Sequence, residues 1–484
     1  MADEIELKLE MSPADVEIIF ASNLFGENAK ATEQVSTYFD TPGNAVAKAG
    51  FSLRIRRTGN TRIQTIKAEG SSSAGLFART EWERSVDDDI PVLDHATPLP
   101  SVIGEAADKV APQFVVKVQR FKWLVQEDET IIEVVLDRGD VSAGGRADPI
   151  CEIELELKLG DPAALFSLAR KIDAIAPMRL GVLTKSERGY RLAKPDVVSI
   201  KAEPIALVPD TSAAEAFERI VHACIRQFRL NEALLFSSRN PNALHQARVA
   251  IRRMRSAFSI FKPMIGDDGA GLRVELKWLA VTLGDARDLD VLLELAPSGP
   301  LRDRIAAARE ESYDLLFETL ADHRARSVML NVAHWLEQSR WTETDGGEVD
   351  GSEPARVLAV SALARFRRRI KRRGKGLAAV DDGTRHEVRK DAKRLRYASE
   401  FFAPLFDRKR EQRRHRRFVA ALEVLQDRLG ALNDLVTAPV LLSRLDLSNH
   451  DGADALLSND TGKKKMLERA EGAHDELFDT KRFW

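Results

Sequence analysis

The chain has 484 residues, 44% of them hydrophobic and 31% charged, with a net charge of -2. That length is too great for one ordinary core and predicts two or more domains; no apolar run reaches the ~18 residues of a membrane helix. The N-terminus lacks the basic and apolar regions of a secretory signal, and Cys151 and Cys224 alone imply neither a disulfide framework nor a cysteine metal site, which fits a reducing cytoplasm.

The first predicted element is a strand, Glu4 to Glu10. Glu4, Glu6, Lys8 and Glu10 share one face and Ile5, Leu7 and Leu9 the other. Ser12-Pro13 opens a helix to about Phe25. Strands follow over 35–41, 51–57 and 62–67, with Arg54 and Arg56 on one face of the second and Thr65 and Lys67 on one face of the third. After a Gly/Ser loop, Arg79, Glu81 and Glu83 share a face of the next strand. A helical insert covers about 98–110, two strands cover 114–123 and 130–139, and Glu152 to Lys158 echoes the opening pattern. A helix then runs from Pro162 to about Ile175, and Leu183-Thr184-Lys185-Ser186-Glu187-Arg188-Gly189-Tyr190 follows.

About eight strands at this turn spacing predict an antiparallel barrel or meander. An ordinary barrel fills its inside with aliphatics. Here the aliphatic faces can pack outward on the helices, which leaves the lumen to carboxylates and cations. Converging Arg and Lys repel one another unless a polyanion lies between them, and both suit phosphate oxygens. Clustered carboxylates suit a hard cation such as Mg²⁺. Together they fit phosphoryl transfer, where catalysis is mainly positioning and charge stabilisation. Interstrand salt-bridge ladders are the plainer alternative.

In order along residues 1–200, Glu4-x-Glu6-x-Lys8, Leu53-Arg54-x-Arg56, Thr65-x-Lys67, Arg79-x-Glu81-x-Glu83, Leu136-Asp137-x-Gly139, Glu152-x-Glu154-x-Glu156 and Lys185-Ser186-x-Arg188-Gly189-Tyr190 resemble the CYTH family, the triphosphate tunnel metalloenzymes. The resemblance implies an α+β fold with an eight-stranded antiparallel tunnel that binds triphosphate with Mg²⁺ or Mn²⁺. Carried over by position, Arg54, Arg56, Lys67, Arg79, Lys117, Arg120 and Lys185 hold phosphates. Glu4, Glu6, Glu154 and Glu156 hold metal, Glu81, Glu83 and Asp137 assist, and Lys8 contacts phosphate near the attacked phosphorus.

A polar, Pro-containing linker, 201–211, leads into a helical half, 212–484. Ala213 to Leu235 reads as one helix, and Asn240-Pro241 opens the next. On that helix His245, Arg248, Arg252 and Arg255 form one stripe, flanked by Arg253. The spacing returns 141 residues on: His386, Arg389, Lys393 and Arg396, flanked by Arg394, after a capping-box start at Thr384-x-x-Glu387. Leu283-Gly284-Asp285-Ala286-Arg287-Asp288 echoes Leu429-Gly430-Ala431-Leu432-Asn433-Asp434, so the half is an internal duplication. Residues 365–375 hold 8 basic residues and no acid. A lone basic stripe is usually a solvated face; duplicated stripes of like charge call for a polyanion, bound with counterion release. Neither His has a second ligand at metal spacing. Aromatic interleaving and base-reading motifs are lacking, so nucleic acid is not the expected partner.

The stripe His245-x-x-Arg248-(x)3-Arg252-Arg253-x-Arg255 and its copy resemble the CHAD domain, an all-α duplicated helical module whose implied partner is inorganic polyphosphate. The expected function is a cytoplasmic inorganic triphosphatase that cleaves tripolyphosphate to pyrophosphate and phosphate by attack of a metal-activated water, with no membrane association and with polyphosphate granules as one place of residence. A hydrolase or cyclase acting on an organic triphosphate, and a non-catalytic polyphosphate binder, are the alternatives. The stretch 340–355, Gly- and acid-rich, is expected to be a loop.

Overall fold

The computed structural model describes all residues except 1–3, 27–28, 69–70, 74, 195–196, 339–348 and 457–459; most of the expected loop at 340–355 lies outside the described residues. The chain forms two compact units, Met1–Val198 with Ala321–Gln338, and Ser199–Leu320 with Ser339–Trp484. The first unit is therefore discontinuous, and a division of packing at about residue 200 is incomplete. No helix among the described residues is long and apolar enough to cross a membrane.

The first unit is built on one antiparallel sheet. Its strands are β1 (Glu4–Met11), β2 (Thr32–Asp40), β3 (Phe51–Thr58), β4 (Thr61–Ala68), β5 (Ser71–Ser73), β6 (Leu76–Arg79), β7 (Glu81–Ser85), β8 (Ala111–Glu127), β9 (Thr130–Ala143), β10 (Arg146–Leu159) and β11 (Met178–Leu180). They pair in the order β5-β6-β1-β10-β9-β8-β2-β3-β4-β7, with β11 also on β1. The sheet curls into a half-barrel whose end strands are β5 and β7. Its helices are α1 (Pro13–Ser22), α2 (Ala45–Lys48), α3 (Leu99–Ile103), α4 (Ala163–Asp173) and α5 (Lys185–Leu192). Alternation works as expected on β1: Leu7 and Leu9 are fully buried, and α4 packs against β1 and β10 with Leu165, Phe166 and Leu168 buried. The segment after Leu183 is a helix because Thr184 accepts from the Glu187 N–H while Glu187 accepts from the Thr184 N–H, a complete capping box.

The concave face is not charged throughout, contrary to expectation. On β8 it reads Phe114, Val116 and Val118, and only then Arg120 and Lys122. On β9 Val141 and Ala143 give way to Asp137 and Glu133, and on β10 Ile150 gives way to Glu152, Glu154 and Glu156. The apolar members form one buried cluster with Tyr38, covered by Tyr190 and Leu192 of α5.

The remaining helices are α6 (Ala213–Ser238), α7 (Pro241–Ile260), α8 (Lys262–Ile265), α9 (Ala270–Leu295), α10 (Pro300–Ala321), α11 (His323–Gln338), α12 (Ala355–Arg373), α13 (Asp382–Phe401), α14 (Lys409–Arg444) and α15 (Asp460–Asp479). In the second unit α7 packs on α6 and α9, and α13 packs on α12 and α14; α7 and α13 then meet each other. These repeated contacts are the three-dimensional form of the duplication. α13 begins earlier than Thr384: the carboxylate of Asp381 caps it by accepting the Thr384 N–H at 2.8 Å. α11 belongs to the first unit, against α4 and β11.

Candidate functional site

Register brings the charges of the opening strand together. Glu6 lies opposite Glu156, Lys8 opposite Glu154 and Glu10 opposite Glu152 across β1 and β10. The Lys8 ammonium donates to Glu152 at 3.0 Å and to Glu154, and stands 3.3 Å from Glu6. Lys185, the first residue of α5, reaches Glu152 at 2.5 Å, Glu154 at 2.8 Å and Asp137 at 2.7 Å. Arg120 forks onto Asp137, Nε at 2.8 Å and Nη2 at 2.6 Å, and touches Glu154 at 3.3 Å. Asp137 and Glu152 are fully buried. Burial opposes every one of these charges, but the opposite charges win. Asp137, Glu152 and Glu154 hold the Lys185 ammonium well above its usual range, and Lys185, Lys8 and Arg120 hold Glu154 well below its own.

Beside this core opens a cavity of about 260 Å³. Its other wall comes from β3, β4 and β7. Lys67 pairs with Glu81, Arg56 stands 3.5 Å from Glu83, and the Thr65 hydroxyl donates to Glu83 at 3.0 Å. Burial, then Arg54 and Arg120, pull the Arg56 guanidinium below its usual range, and the buried Nε of Arg54 has no hydrogen-bond partner among the described residues.

Of the residues singled out from the sequence, Glu6, Lys8, Arg54, Arg56, Lys67, Glu81, Glu83, Arg120, Glu154, Glu156 and Lys185 line this cavity. Asp137 lies beneath it. The side chains of Glu4 and Arg79 are outside the described residues. Lys117 is not brought in: it is exposed, an odd number of positions from Arg120 and so on the opposite face of β8. Sequence reasoning missed Glu152, Lys122, Glu133 and Tyr38. Strand parity held the signal for three of them, since Glu152, Lys122 and Glu133 each lie two or four residues from a chosen inward residue.

In the second unit, His245, Arg248 and Arg252 of α7 meet Arg389, Lys393 and Arg396 of α13 and Arg287 of α9. Burial, then Arg252, Arg389, Arg248 and Arg396, push the Lys393 ammonium down to about 6. Burial, then Arg287, Arg252, Arg248 and Lys393, push His245 down to about 4. Among the described residues the buried Nε atoms of Arg252, Arg389 and Arg396 have no hydrogen-bond partner. Asp288 stands 3.5 Å from Arg248. Arg255 and Arg394 stand near each other, and Arg394 is also tied to the buried Asp391 at 2.9 Å. Two of the residues singled out are not brought into this cluster. Arg253 is buried, 3.4 Å from Glu400 and stacked 5.0 Å over Phe401, so it holds α7 to α13. His386 is exposed at the start of its helix. Arg287, quoted in the repeat but given no role, was the missed member.

A CYTH domain model matches residues 2–190, and a CHAD domain model matches residues 219–443. This is a CYTH–CHAD protein. It is similar to the inorganic triphosphatase of Haemophilus influenzae, 31% identical over an alignment of 209 residues, with 40% of this chain and 55% of that protein covered. The chain thus spans about half the length of that relative. The CHAD domain of the plant Ricinus communis is 26% identical, with a TM-score of 0.49 over 58% of this chain and 97% of that one. A putative adenylyl cyclase from Hippeastrum, described as having a dominant triphosphatase activity, is 21% identical, with a TM-score of 0.32 over 39% of this chain and 95% of that one.

Two carboxylate sets in the CYTH unit bear on a metal ion. Asp137, Glu152 and Glu154 offer oxygens within 4.8 Å of one another, but Lys8, Lys185 and Arg120 already occupy them. Glu6 and Glu156 are cross-strand neighbours, and Glu154 lies two residues along the same face; all three line the cavity, and Glu154, which belongs to both sets, would exchange contacts to Lys8, Lys185 or Arg120 for the ion. Carboxylates on adjacent strands beside a polar cavity are the donor chemistry that a hard divalent cation takes, so the residues fit such an ion.

Proposed function

We propose that the CYTH unit is a divalent-metal-dependent inorganic triphosphatase that hydrolyses tripolyphosphate to pyrophosphate and phosphate, and that the CHAD domain holds inorganic polyphosphate. The observation that carries the first part is the crowding of Arg54, Arg56 and Arg120 on one cavity, where burial and like charge depress Arg56 and the buried Nε of Arg54 has no partner among the described residues. Phosphate oxygens relieve both conditions. The name of the Haemophilus influenzae relative supports the same reading.

The cavity wall is close to charge balance. Lys8, Arg54, Arg56, Lys67, Arg120, Lys122 and Lys185 face Glu6, Glu81, Glu83, Glu133, Glu154 and Glu156. A triphosphate brings several negative charges into it, so added cations must accompany it. A divalent cation held by Glu6, Glu154 and Glu156 would supply that charge and polarise the phosphoryl oxygens. Arg54, Arg56 and Lys67 then grip one part of the chain and Lys8, Arg120 and Lys185 another. The buried carboxylates fix the positions of these last three before substrate arrives, so little reorganisation remains for the reaction.

For the CHAD domain, the six basic residues Arg248, Arg252, Arg287, Arg389, Lys393 and Arg396 support a chain of phosphates as the ligand, and burial together with their mutual repulsion pushes Lys393 down to about 6 without one. The test is phosphate release from tripolyphosphate, ATP and thiamine triphosphate with Mg²⁺ or Mn²⁺, beside retention of polyphosphate. Turnover of tripolyphosphate well above the other two is expected. Preference for an organic triphosphate, or no turnover at all, overturns the reading.

A further inference from the structure

We propose that the cavity is blind, so that a phosphate chain enters it only by a terminus and long polyphosphate is cut only from its ends. The inference rests on the triphosphatase reading above. The inward faces of three adjacent strands change from charged to apolar in step: Arg120 to Val118 on β8, Asp137 to Val141 on β9, Glu152 to Ile150 on β10. In register, Gly139 of β9 lies opposite both Val118 and Ile150, so the change falls at one level of the sheet. Beyond that level Phe114, Val116, Val118, Val141, Ala143 and Ile150 form one buried cluster with Tyr38.

α5 seals it. Tyr38 stacks on Phe114 at 4.7 Å and Tyr190 meets the same ring edge-on at 5.1 Å. The Tyr190 hydroxyl donates to Asp40 at 2.7 Å, which pins the ring in place. A separate hollow on the far side, lined by Gln113, Phe114, Ala143 and Arg146 among others, shares no residue with the charged cavity. Phe114 and its cluster thus separate the charged cavity from that hollow. Pushing a polyphosphate through it would strip charged oxygens of water with no partner in return, a cost that grows with every phosphate buried.

A chain that cannot pass through must dock by its end. Each turnover then adds water across one P–O–P anhydride near that end: the water oxygen joins one phosphorus, the bridging oxygen leaves with the other fragment, and the water's protons pass to the products and solvent. The test uses the full-length chain with Mg²⁺ and three probes: tripolyphosphate, long-chain polyphosphate with free ends, and the same polymer with both terminal phosphates converted to phosphoramidates of a bulky amine. Expected are turnover of tripolyphosphate, stepwise shortening of the free-ended polymer, and complete loss of cleavage on the capped polymer. Internal cuts in the capped polymer, or a free-ended polymer left whole, overturn the blind cavity while tripolyphosphate turnover leaves the triphosphatase reading standing. Failure on tripolyphosphate removes that reading and this inference together.

Discussion

Gly189 lies so close to the Phe114 ring that a Cβ on it would sit 2.2 Å from the ring carbons. α5 can enter the barrel at this depth only because that position has no side chain, and the depth sets where Lys185 meets Glu152 and Asp137. Gly189→Ala should lower unfolding stability by about 1–3 kcal/mol through overpacking and reduce tripolyphosphate turnover. Phe114→Leu in the same chain should restore part of both losses. Denaturant unfolding and phosphate release on the single and double variants check this.

Glu152 is buried between two ammonium groups, Lys8 and Lys185. Glu152→Gln keeps the shape but leaves those charges short of one partner. A loss of about 3–5 kcal/mol is expected, as for breaking a buried ion pair from one side. Glu133→Gln, at the cavity wall, should cost far less, and comparing the two unfolding curves separates a buried pair from a cavity-wall one.

Chelation should abolish turnover without unfolding the chain, because the buried carboxylates are compensated by lysine and arginine. Added Mg²⁺ or Mn²⁺ should restore it. Glu156→Gln should raise the metal concentration needed for half-maximal rate by about tenfold or more while leaving the thermal midpoint nearly unchanged. A metal titration of phosphate release reads this directly.

Arg252 and Arg253 are neighbours with opposite expectations. Arg252→Ala removes a cation from a crowded group, so polyphosphate affinity should fall, its salt dependence should weaken by about one counterion, and stability should hold or rise. Arg253→Ala removes the contacts to Glu400 and Phe401, so stability should fall by about 1–3 kcal/mol. Binding and unfolding measured on both variants distinguish the roles.

Lys393 gives polyphosphate binding a pH dependence. With its ammonium pushed to about 6, it is largely neutral at pH 8 until an anion arrives among Arg248, Arg252, Arg389 and Arg396. Binding therefore takes up a proton, and affinity should rise as pH falls from 8 towards 6, by at most about tenfold per unit. In the unfolded chain a lysine keeps its proton to about 10.4, so the free fold binds fewer protons in that window and gains stability as pH rises. His245, at about 4, titrates below the range. Lys393→Gln should flatten the binding profile; calorimetry in buffers of different ionisation enthalpy counts the proton.

Alternation made Glu6, Lys8, Arg54, Arg56 and Lys67 legible, because a strand has only two faces and charge can occupy only one without breaking the core. Helical spacing made the five converging basic residues of α7 and α13 legible for a similar reason. Lys117 was misjudged because phase along β8 was not carried through from Arg120, and Arg253 because a flanking position on one helix faces a neighbour that the sequence does not place. The apolar half of the barrel escaped notice although Phe114, Val116 and Val118 are in phase with Arg120. Their burial is completed by α5, whose capping box at Thr184 and Glu187 was the signal not used.

Asp173 closes α4 with both oxygens committed: to Arg326 at 2.9 Å and to His323 at 2.6 Å, both on α11. Arg170 one turn earlier reaches Asn331 and His334 on that helix, and the His334 ring lies 4.8 Å from Phe166. α11 lies within the span matched by the CHAD model yet is part of the tunnel unit. Residues 1–198 produced on their own would therefore leave a carboxylate and an aromatic patch facing water, and an inactive or aggregated fragment would say nothing about the chemistry of the tunnel. Supplying residues 321–338, by tether or as a separate peptide, is the way to obtain that unit whole.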